Sequence, residues 1–273
     1  MTKHICVQCG TQFGDSAAPP TGCPICQDYR QYVNWNGQQW TTLDKIRAKH
    51  TNAIRPEGPR IYGIGTEPQF AIGQRALLVQ AASGNVLWDC ISLVDDATVE
   101  AVRKLGGITA IAISHPHFYS CMGEWSRAFG DVPIYLHHDN REWVMQPDER
   151  IRFWEGETLP LADGVTLIRV GIHFEGGTVL HWADGAEGRG ALCVGDMFQV
   201  AADRRYVSFM RSYPNMIPET PQVIHDALRS VEPFEFDTIY GMNWQKNVAT
   251  DAKAAVWRSA GRYLEMVGAG GAV

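Results

Sequence analysis

No stretch of this chain approaches the roughly 20 consecutive apolar residues that span a bilayer, and Met1–Gly10 lacks the basic-then-apolar order of an export signal. A soluble, cytoplasmic protein is the expectation. Runs of lysine or arginine are also missing, and the net charge is -6 with a pI near 5.8. The electrostatic footprint of nucleic-acid or anionic-membrane binding is therefore absent, which leaves small molecules or other proteins as the expected partners. The seven cysteines do not form a secreted disulfide scaffold, because four fall into two close pairs and Cys90, Cys121 and Cys193 stand singly. A reducing compartment fits that usage, with the three single cysteines expected as small buried hydrophobes. What remains is an ordinary globular make-up: 273 residues, 45% hydrophobic and 20% charged, enough for one large domain or a medium one plus a small one.

The paired cysteines are Cys6-Val-Gln-Cys9 and Cys23-Pro-Ile-Cys26, separated by the 13 residues Gly10 to Gly22. Cysteines two apart on a tight turn present both sulfurs to one ion, and two such turns complete a tetrahedral thiolate shell. The pattern resembles a zinc ribbon or a shortened rubredoxin-like knuckle. Zinc in a closed structural site is expected, since rubredoxin-type iron sites bring a much longer loop. The segment from Lys3 to Gln27 is too poor in large apolar residues to order itself without metal. Beyond it, Asn36-Gly37 between Tyr32-Val33-Asn34-Trp35 and Gln38-Gln39-Trp40 predicts a hairpin whose aromatics cover the knuckles. With Pro56, Gly58 and Pro59 breaking the pattern, residues 1–55 are read as a small four-cysteine module of zinc-ribbon type and residues 56–273 as the main domain. The module is assigned to docking, either on a protein partner or on a second copy of the chain.

In the main domain, short apolar runs alternate with helical patterns. Arg75 to Ala82 and Val86 to Asp89 predict a hairpin, and strands are expected at Ile108 to Ile113, Pro133 to Leu136, Val165 to Val170, Thr178 to Trp182, Ala191 to Val194 and Asp237 to Tyr240. Helices are expected at Asp95 to Leu105, Asn140 to Met145, Pro221 to Val231 and Asp251 to Val267, with a disordered Gly-Ala-Gly-Gly tail starting at Gly268. Strands interspersed with helices and no internal repeat indicate an α/β layered domain.

His115-Pro116-His117 follows the strand at Ile108 to Ile113. Pro116 predicts an extended stretch, in which both imidazoles share one face and can converge on one point. His173 and Asp196 stand in the same relation to the strands at Val165 and Ala191, so four candidate ligands gather at strand ends.

Four places in this order resemble the metallo-β-lactamase superfamily over roughly Ile61 to Lys246. Leu87-Trp88-Asp89 resembles its strand with an aspartate before a turn, and Ser114-His115-Pro116-His117-Phe118 the opening of its H-x-H-x-D-H motif. Gly171-Ile172-His173-Phe174-Glu175-Gly176-Gly177 resembles the glycine-rich loop with its third histidine, and Val194-Gly195-Asp196 the strand-end Gly-Asp. The resemblance implies an αββα sandwich and a metal-dependent hydrolase. The departures are equally specific: Tyr119-Ser120 stands where the family has Asp-His, and Gly241-Met242-Asn243 where its last histidine belongs. All ligands dedicated to a second metal are missing, and Met242 and Ser120 are poor substitutes.

One centre is left, of His115, His117 and His173 with Asp196 as a further donor. Three neutral imidazoles with an open fourth position suit Zn2+, which lowers the pKa of a bound water to about 7. In that reading Asp196 ligates or orients the water, Tyr119 donates to a developing oxyanion, and the substrate is a small ester, thioester, lactone or amide. Selecting His115, His173 and Asp196 alone suits non-haem iron and oxygen chemistry, similar to the persulfide dioxygenase branch, and leaves His117 outside the ligand set. A third reading is a non-catalytic binding protein on a degenerate form of the fold.

Overall fold

The computed structural model describes residues 1–270. At its start, β1 (Thr2–Cys6), β2 (Gln12–Ser16) and β3 (Trp40–Thr41) form a small antiparallel sheet in the order β2-β1-β3. A helical turn, Pro24–Gln27, follows Cys23, with Pro24 in its first turn where a missing N–H costs no bond. The expected hairpin over Tyr32 to Trp40 does not form. Residues 32–39 carry no strand, the Gly37 N–H donates to the Asn34 carbonyl at 2.8 Å in an isolated turn, and Trp35 is 97% exposed. Trp40 instead pairs with Cys6 across β1–β3 and meets the Phe13 ring edge-on at 4.9 Å. The open edge of β1 gives Trp40 a ladder and buried neighbours, which Tyr32 and Val33 could not have supplied.

Two larger sheets follow. The first has seven strands in the order β10-β9-β8-β7-β6-β5-β4: β4 (Thr51–Gly58), β5 (Ile61–Glu67), β6 (Arg75–Ala81), β7 (Gly84–Trp88), β8 (Ala110–Ala112), β9 (Ile134–His137) and β10 (Ile151–Trp154). β4 to β7 form an antiparallel meander, and β7 to β10 run parallel. β4 crosses residue 55, so the junction drawn between residues 55 and 56 falls inside a strand; Pro56 is tolerated there because β4 is an edge. The second sheet is completed by β11 (Thr158–Ala162), β12 (Val165–Arg169), β13 (Thr178–Trp182) and β14 (Ala191–Cys193). Two ribbons intervene, β15 (Gln199–Val200) with β16 (Val207–Ser208) and β17 (Met210–Ser212) with β18 (Ile217–Pro218), before β19 (Thr238–Tyr240) and β20 (Asn247–Val248) close it in the order β11-β12-β13-β14-β19-β20.

Side-chain alternation sorts these strands into layers. On β6, Leu77 and Val79 face inward to Trp88, Leu167, Leu180 and Trp182 between the sheets, while Ala76 and Leu78 face outward to Val99, Val102 and Trp125 of the helices Asp96–Lys104 and Met122–Ala128. The second sheet repeats the arrangement: Val179 and Leu192 face outward to Ile224, Leu228, Val256 and Leu264 of the helices Pro221–Val231 and Ala252–Met266. The result is the αββα sandwich, with both sheets buried on two faces, which is why their strands read as apolar runs. Part of the expected tail is ordered: the Ala269 N–H donates to the Leu264 carbonyl at 2.8 Å, and Gly268 takes the left-handed conformation of a helix C-cap. Gly271 lies outside the described residues. Among the described residues no helix is long and apolar enough to cross a membrane.

Candidate functional site

Four buried side chains meet at one end of the sandwich: His115, His117, His173 and Asp196 each offer an atom within 4.8 Å of the others. They follow β8 of the first sheet and β12 and β14 of the second, the latter two running in one direction, so the site lies beyond the carboxyl ends of these strands, where α/β sheets gather ligands. The His-Pro-His stretch differs from the expectation. Only His115 is extended (φ -167, ψ 171); Pro116–Phe118 forms a 3-10 turn, which brings the His117 ring to 5.1 Å from that of His115. Convergence thus comes from a turn, not from an extended face. His173 sits at φ 67, a left-handed conformation sparsely populated by non-glycine residues, and its N–H donates to Glu219 Oε2 at 3.2 Å.

Hydrogen bonds fix which ring nitrogens are free. Ser114 Oγ donates to Asp89 Oδ1 at 2.7 Å, so it accepts from His115 Nδ1 at 2.8 Å, and the Nε2 of His115 is left as a lone pair without a partner. His173 Nδ1 donates to the Arg211 carbonyl at 2.9 Å, which frees its Nε2, placed 3.1 Å from His117 Nδ1. His115 Nε2 and Asp196 Oδ2 are 3.6 Å apart, and Asp196 Oδ1 has no partner. Around Zn2+ with ligand bonds of about 2.0 Å, a tetrahedral edge is about 3.3 Å, so these two separations bracket the requirement. Burial pushes the His115 and His173 imidazoles down to about 3 and His117 well below its ordinary value, with the positive charge of Arg30 adding to the shift on His115. Burial lifts Asp196 to about 6, partly offset by His173. Both shifts, each caused first by burial, oppose an ion pair between His115 and Asp196. Two imidazoles with a nitrogen freed by their hydrogen bonds, and a third buried and neutral beside them, are what a metal site requires.

Asp89, at φ 61 after β7, also accepts the Ser114 N–H at 2.8 Å, and burial raises it to about 7 against the pull of those two bonds. Gly195 (φ 52) makes the close packing possible, since a Cβ there would lie 2.5 Å from Ser114 Oγ. Asp89→Asn keeps the shape but weakens the orientation of His115, and it is expected to lower metal affinity about 10- to 100-fold at the histidine site. Chelator competition on folded protein checks this; an unchanged affinity would remove Asp89 from the positioning chain.

Tyr119 does not take the position expected of it. Its ring is buried in the core and its hydroxyl donates to the Asn140 carbonyl at 3.3 Å, so it does not line the cavity over the histidines. Ser120 Oγ accepts from Gln74 at 3.0 Å, and its carbonyl takes the Gln12 N–H at 3.0 Å. Met242 does line the cavity, held by the Arg75 N–H bonded to its carbonyl and by the buried Arg75 guanidinium bonded to the Gly241 carbonyl. Tyr213 also lines the cavity, and its hydroxyl donates to the Asp196 carbonyl at 2.9 Å. Nothing in its sequence surroundings separates it from a residue of a solvated loop.

Cys6, Cys9, Cys23 and Cys26 form the second cluster, each essentially without exposure. Cys6 and Cys26 sulfurs are 3.6 Å apart and Cys9 and Cys23 sulfurs 3.7 Å, against about 3.8 Å for the edge of a tetrahedron with Zn–S bonds of about 2.3 Å. Sharing protons with neighbouring sulfurs pushes the Cys9 and Cys26 thiols up and Cys6 down, so the bare tetrad holds few negative charges until a cation supplies compensation. Gln38 Nε2 donates to Cys6 Sγ at 3.2 Å. Cys90, Cys121 and Cys193 are buried, and burial pushes their thiols up, as expected of inert packing residues.

The chain following Cys26 reaches the histidine site, which the sequence did not suggest. Arg30, 4% exposed, lies 3.9 Å over the Phe174 ring and pairs with Asp28 and Glu175. Asn215 donates to the Tyr29 and Gln31 carbonyls at 2.8 and 2.9 Å, and Ser212 donates to the Arg30 carbonyl at 3.2 Å. Gln8, Gln31 and Tyr32 thereby become walls of the cavity of about 300 Å³ that opens from His117, His173 and Asp196.

The layered sandwich with His115, His117, His173 and Asp196 at its strand ends is the metallo-β-lactamase fold. Solved structures similar to it are VMB-1 (TM-score 0.58, 11% identity, 79% of this chain and 98% of that one) and FIM-1 of Pseudomonas aeruginosa in its mono-zinc form (TM-score 0.57, 13% identity, 79% and 96%). No family model matches the chain. It is 47% identical over 267 residues, 97% of each chain, to the uncharacterized protein YmaE of Bacillus subtilis (strain 168), and it belongs to the same family.

Proposed function

We propose that His115, His117, His173 and Asp196 hold one divalent metal ion and that the protein is a single-metal hydrolase of a small ester, thioester, lactone or amide. The observation that carries this reading is the convergence of three buried imidazoles and the Asp196 carboxylate, each offering a ligand atom within 4.8 Å of the others, at the foot of an open cavity. A bound ion would supply Lewis acidity and a water acidified to near neutral pH. The chain's own part is positioning. Asp89 through Ser114 orients His115, the Arg211 carbonyl orients His173, and the Tyr213 hydroxyl holds the Asp196 peptide. Asp196, as a carboxylate beside the ion, is suited to ligate or orient the attacking water, its second oxygen accepting that water's hydrogen bond. Zinc is favoured over the iron selection because His117, which that selection sets aside, lies 3.1 Å from His173 within the same set. The four-cysteine site is proposed as structural zinc.

Zinc-loaded protein is expected to hydrolyse at least one of p-nitrophenyl acetate, a neutral acyl thioester, γ-butyrolactone or an acyl p-nitroanilide, and Asp196→Asn to remove that turnover. Absence of hydrolysis across all four, combined with oxygen uptake by iron-loaded protein on a thiol, would overturn it in favour of the oxygenase. Acid dependence provides a further check. Since the Asp196 carboxyl is raised, its proton competes with the ion as soon as the pH drops below about 6, whereas His115 and His173 compete only near pH 3 and burial lowers His117 as well. Apparent metal affinity at the histidine site should thus be level above pH 6 and fall about tenfold per unit below it, the slope of a single competing proton. Titration at fixed ionic strength tests this; a level profile from pH 7 to pH 5 would remove Asp196 from the ligand set.

A further inference from the structure

We propose that the cleft leading to the histidine cluster receives the body of an uncharged, elongated substrate of peptide-like polarity, and that the amino-terminal cysteine module supplies one wall of it. The inner end rests on the metal-centre reading; the recognition of the substrate body does not. The cavity of about 300 Å³ over His117, His173 and Asp196 adjoins a second of about 350 Å³ that reaches Asn34 and Gln38, the two sharing Gln8, Tyr32, Gln69 and Ala71. One side is the chain of the cysteine module, the other the β5–β6 connection.

The lining of this cleft is unusual for its lack of charge. The chain has 24 lysines and arginines and 30 aspartates and glutamates, yet Asp196 at the inner end is the one such residue among those lining both cavities. Carboxamides take their place, notably Gln8, Gln31, Gln69 and Gln38. Each carboxamide pairs a donor with an acceptor, matching the N–H and C=O of a planar amide. Gln8 and Gln31 accept through Oε1 from Asn34 and from the Tyr32 N–H, and among the described residues the side-chain nitrogens of Gln8, Gln31 and Gln69 donate to no protein acceptor. A charged substrate arm would lose water here without gaining a counter-ion, and the net charge of -6 further opposes an anion. Gln38 fixes the outer wall, accepting the Cys23 N–H at 3.2 Å while donating to Cys6 Sγ at 3.2 Å, so the wall is anchored on the thiolate tetrad itself.

The test uses the full zinc-loaded chain and the side-chain amide NMR signals of Gln8, Gln31 and Gln69. Three probes are titrated: N-acetyl-triglycine N-methylamide, the same peptide with a free carboxylate, and maltotriose. The neutral peptide is expected to shift those signals and to bind at least about tenfold more tightly than the carboxylate, with Gln8→Glu abolishing most of its binding while the backbone spectrum stays folded. The inference is overturned if the carboxylate binds as well as the neutral peptide, if maltotriose alone shifts the signals, or if no probe does. Turnover is scored separately. Shifted glutamines without hydrolysis support the cleft and count against the hydrolase; hydrolysis of p-nitrophenyl acetate without shifted glutamines counts against the cleft alone.

Discussion

Replacing His115 and His117 together by alanine is expected to lower bound metal from two equivalents per chain to one and to reduce hydrolysis to the background rate. The two rings supply His115 Nε2 and His117 Nδ1, and the remaining His173 and Asp196 cannot close a shell around a divalent ion. The fold should survive, because the strands that carry these residues are held by the apolar layers on either side and not by the imidazoles. The wild type also gains stability from ligand linkage, about 4 kcal/mol when free metal is a thousandfold above Kd, so the variant should lose metal-dependent thermal stabilisation as well. Circular dichroism, metal analysis and turnover on one preparation separate these effects. Retained turnover at normal fold and reduced metal would show that the histidines are not the reacting centre.

The second large effect is expected from Cys6→Ser with Cys9→Ser. Structural zinc contributes about 10–16 kcal/mol to the order of small thiolate modules, far more than the scattered hydrogen bonds that fasten this one. The knuckles bury Ile25 with the four cysteines under Phe13, Trp40, Trp143 and Met145, a cluster too small to hold without an ion. Losing it should free Arg30 from Phe174 and remove Gln8, Gln31 and Tyr32 from the cavity wall. Limited proteolysis is expected to cut within residues 1–42 of the variant while the sandwich resists, and KM should rise. A variant whose amino-terminal segment keeps wild-type protection would mean that packing on the main domain, not metal, orders the module.

How far the chain could be read in advance depended on how local each signal was. The helix Pro221–Val231, with Thr220 before it and Pro221 in its first turn, and the β6–β7 hairpin carry their own periodicity and were legible. Both clusters were legible too, since CxxC pairs and His-x-His place ligands by short-range spacing. The Asn36-Gly37 hairpin failed because its Trp40 found a better partner in β1, a contact set by tertiary packing. The helix Met122–Ala128 passed unseen because Gly123 and Ser126 weaken its propensity, and Trp125 is driven inside by the sheet it covers. Tyr119 was misplaced for the same reason: one residue beyond the 3-10 turn, its direction follows from a turn that His-Pro-His does not announce. Nothing in Asp28-Tyr29-Arg30-Gln31-Tyr32 signals that it reaches the histidines. That contact joins segments more than 140 residues apart.

The unlike chemistry of the two clusters, thiolate and imidazole, makes the account testable in one measurement: elemental analysis of the wild type beside Cys6→Ser/Cys9→Ser and His115→Ala/His117→Ala. Two equivalents in the wild type and one in each variant are predicted. A single equivalent in the wild type, lost with the cysteines and untouched by the histidine changes, would contradict the claim that His115, His117, His173 and Asp196 form a metal centre.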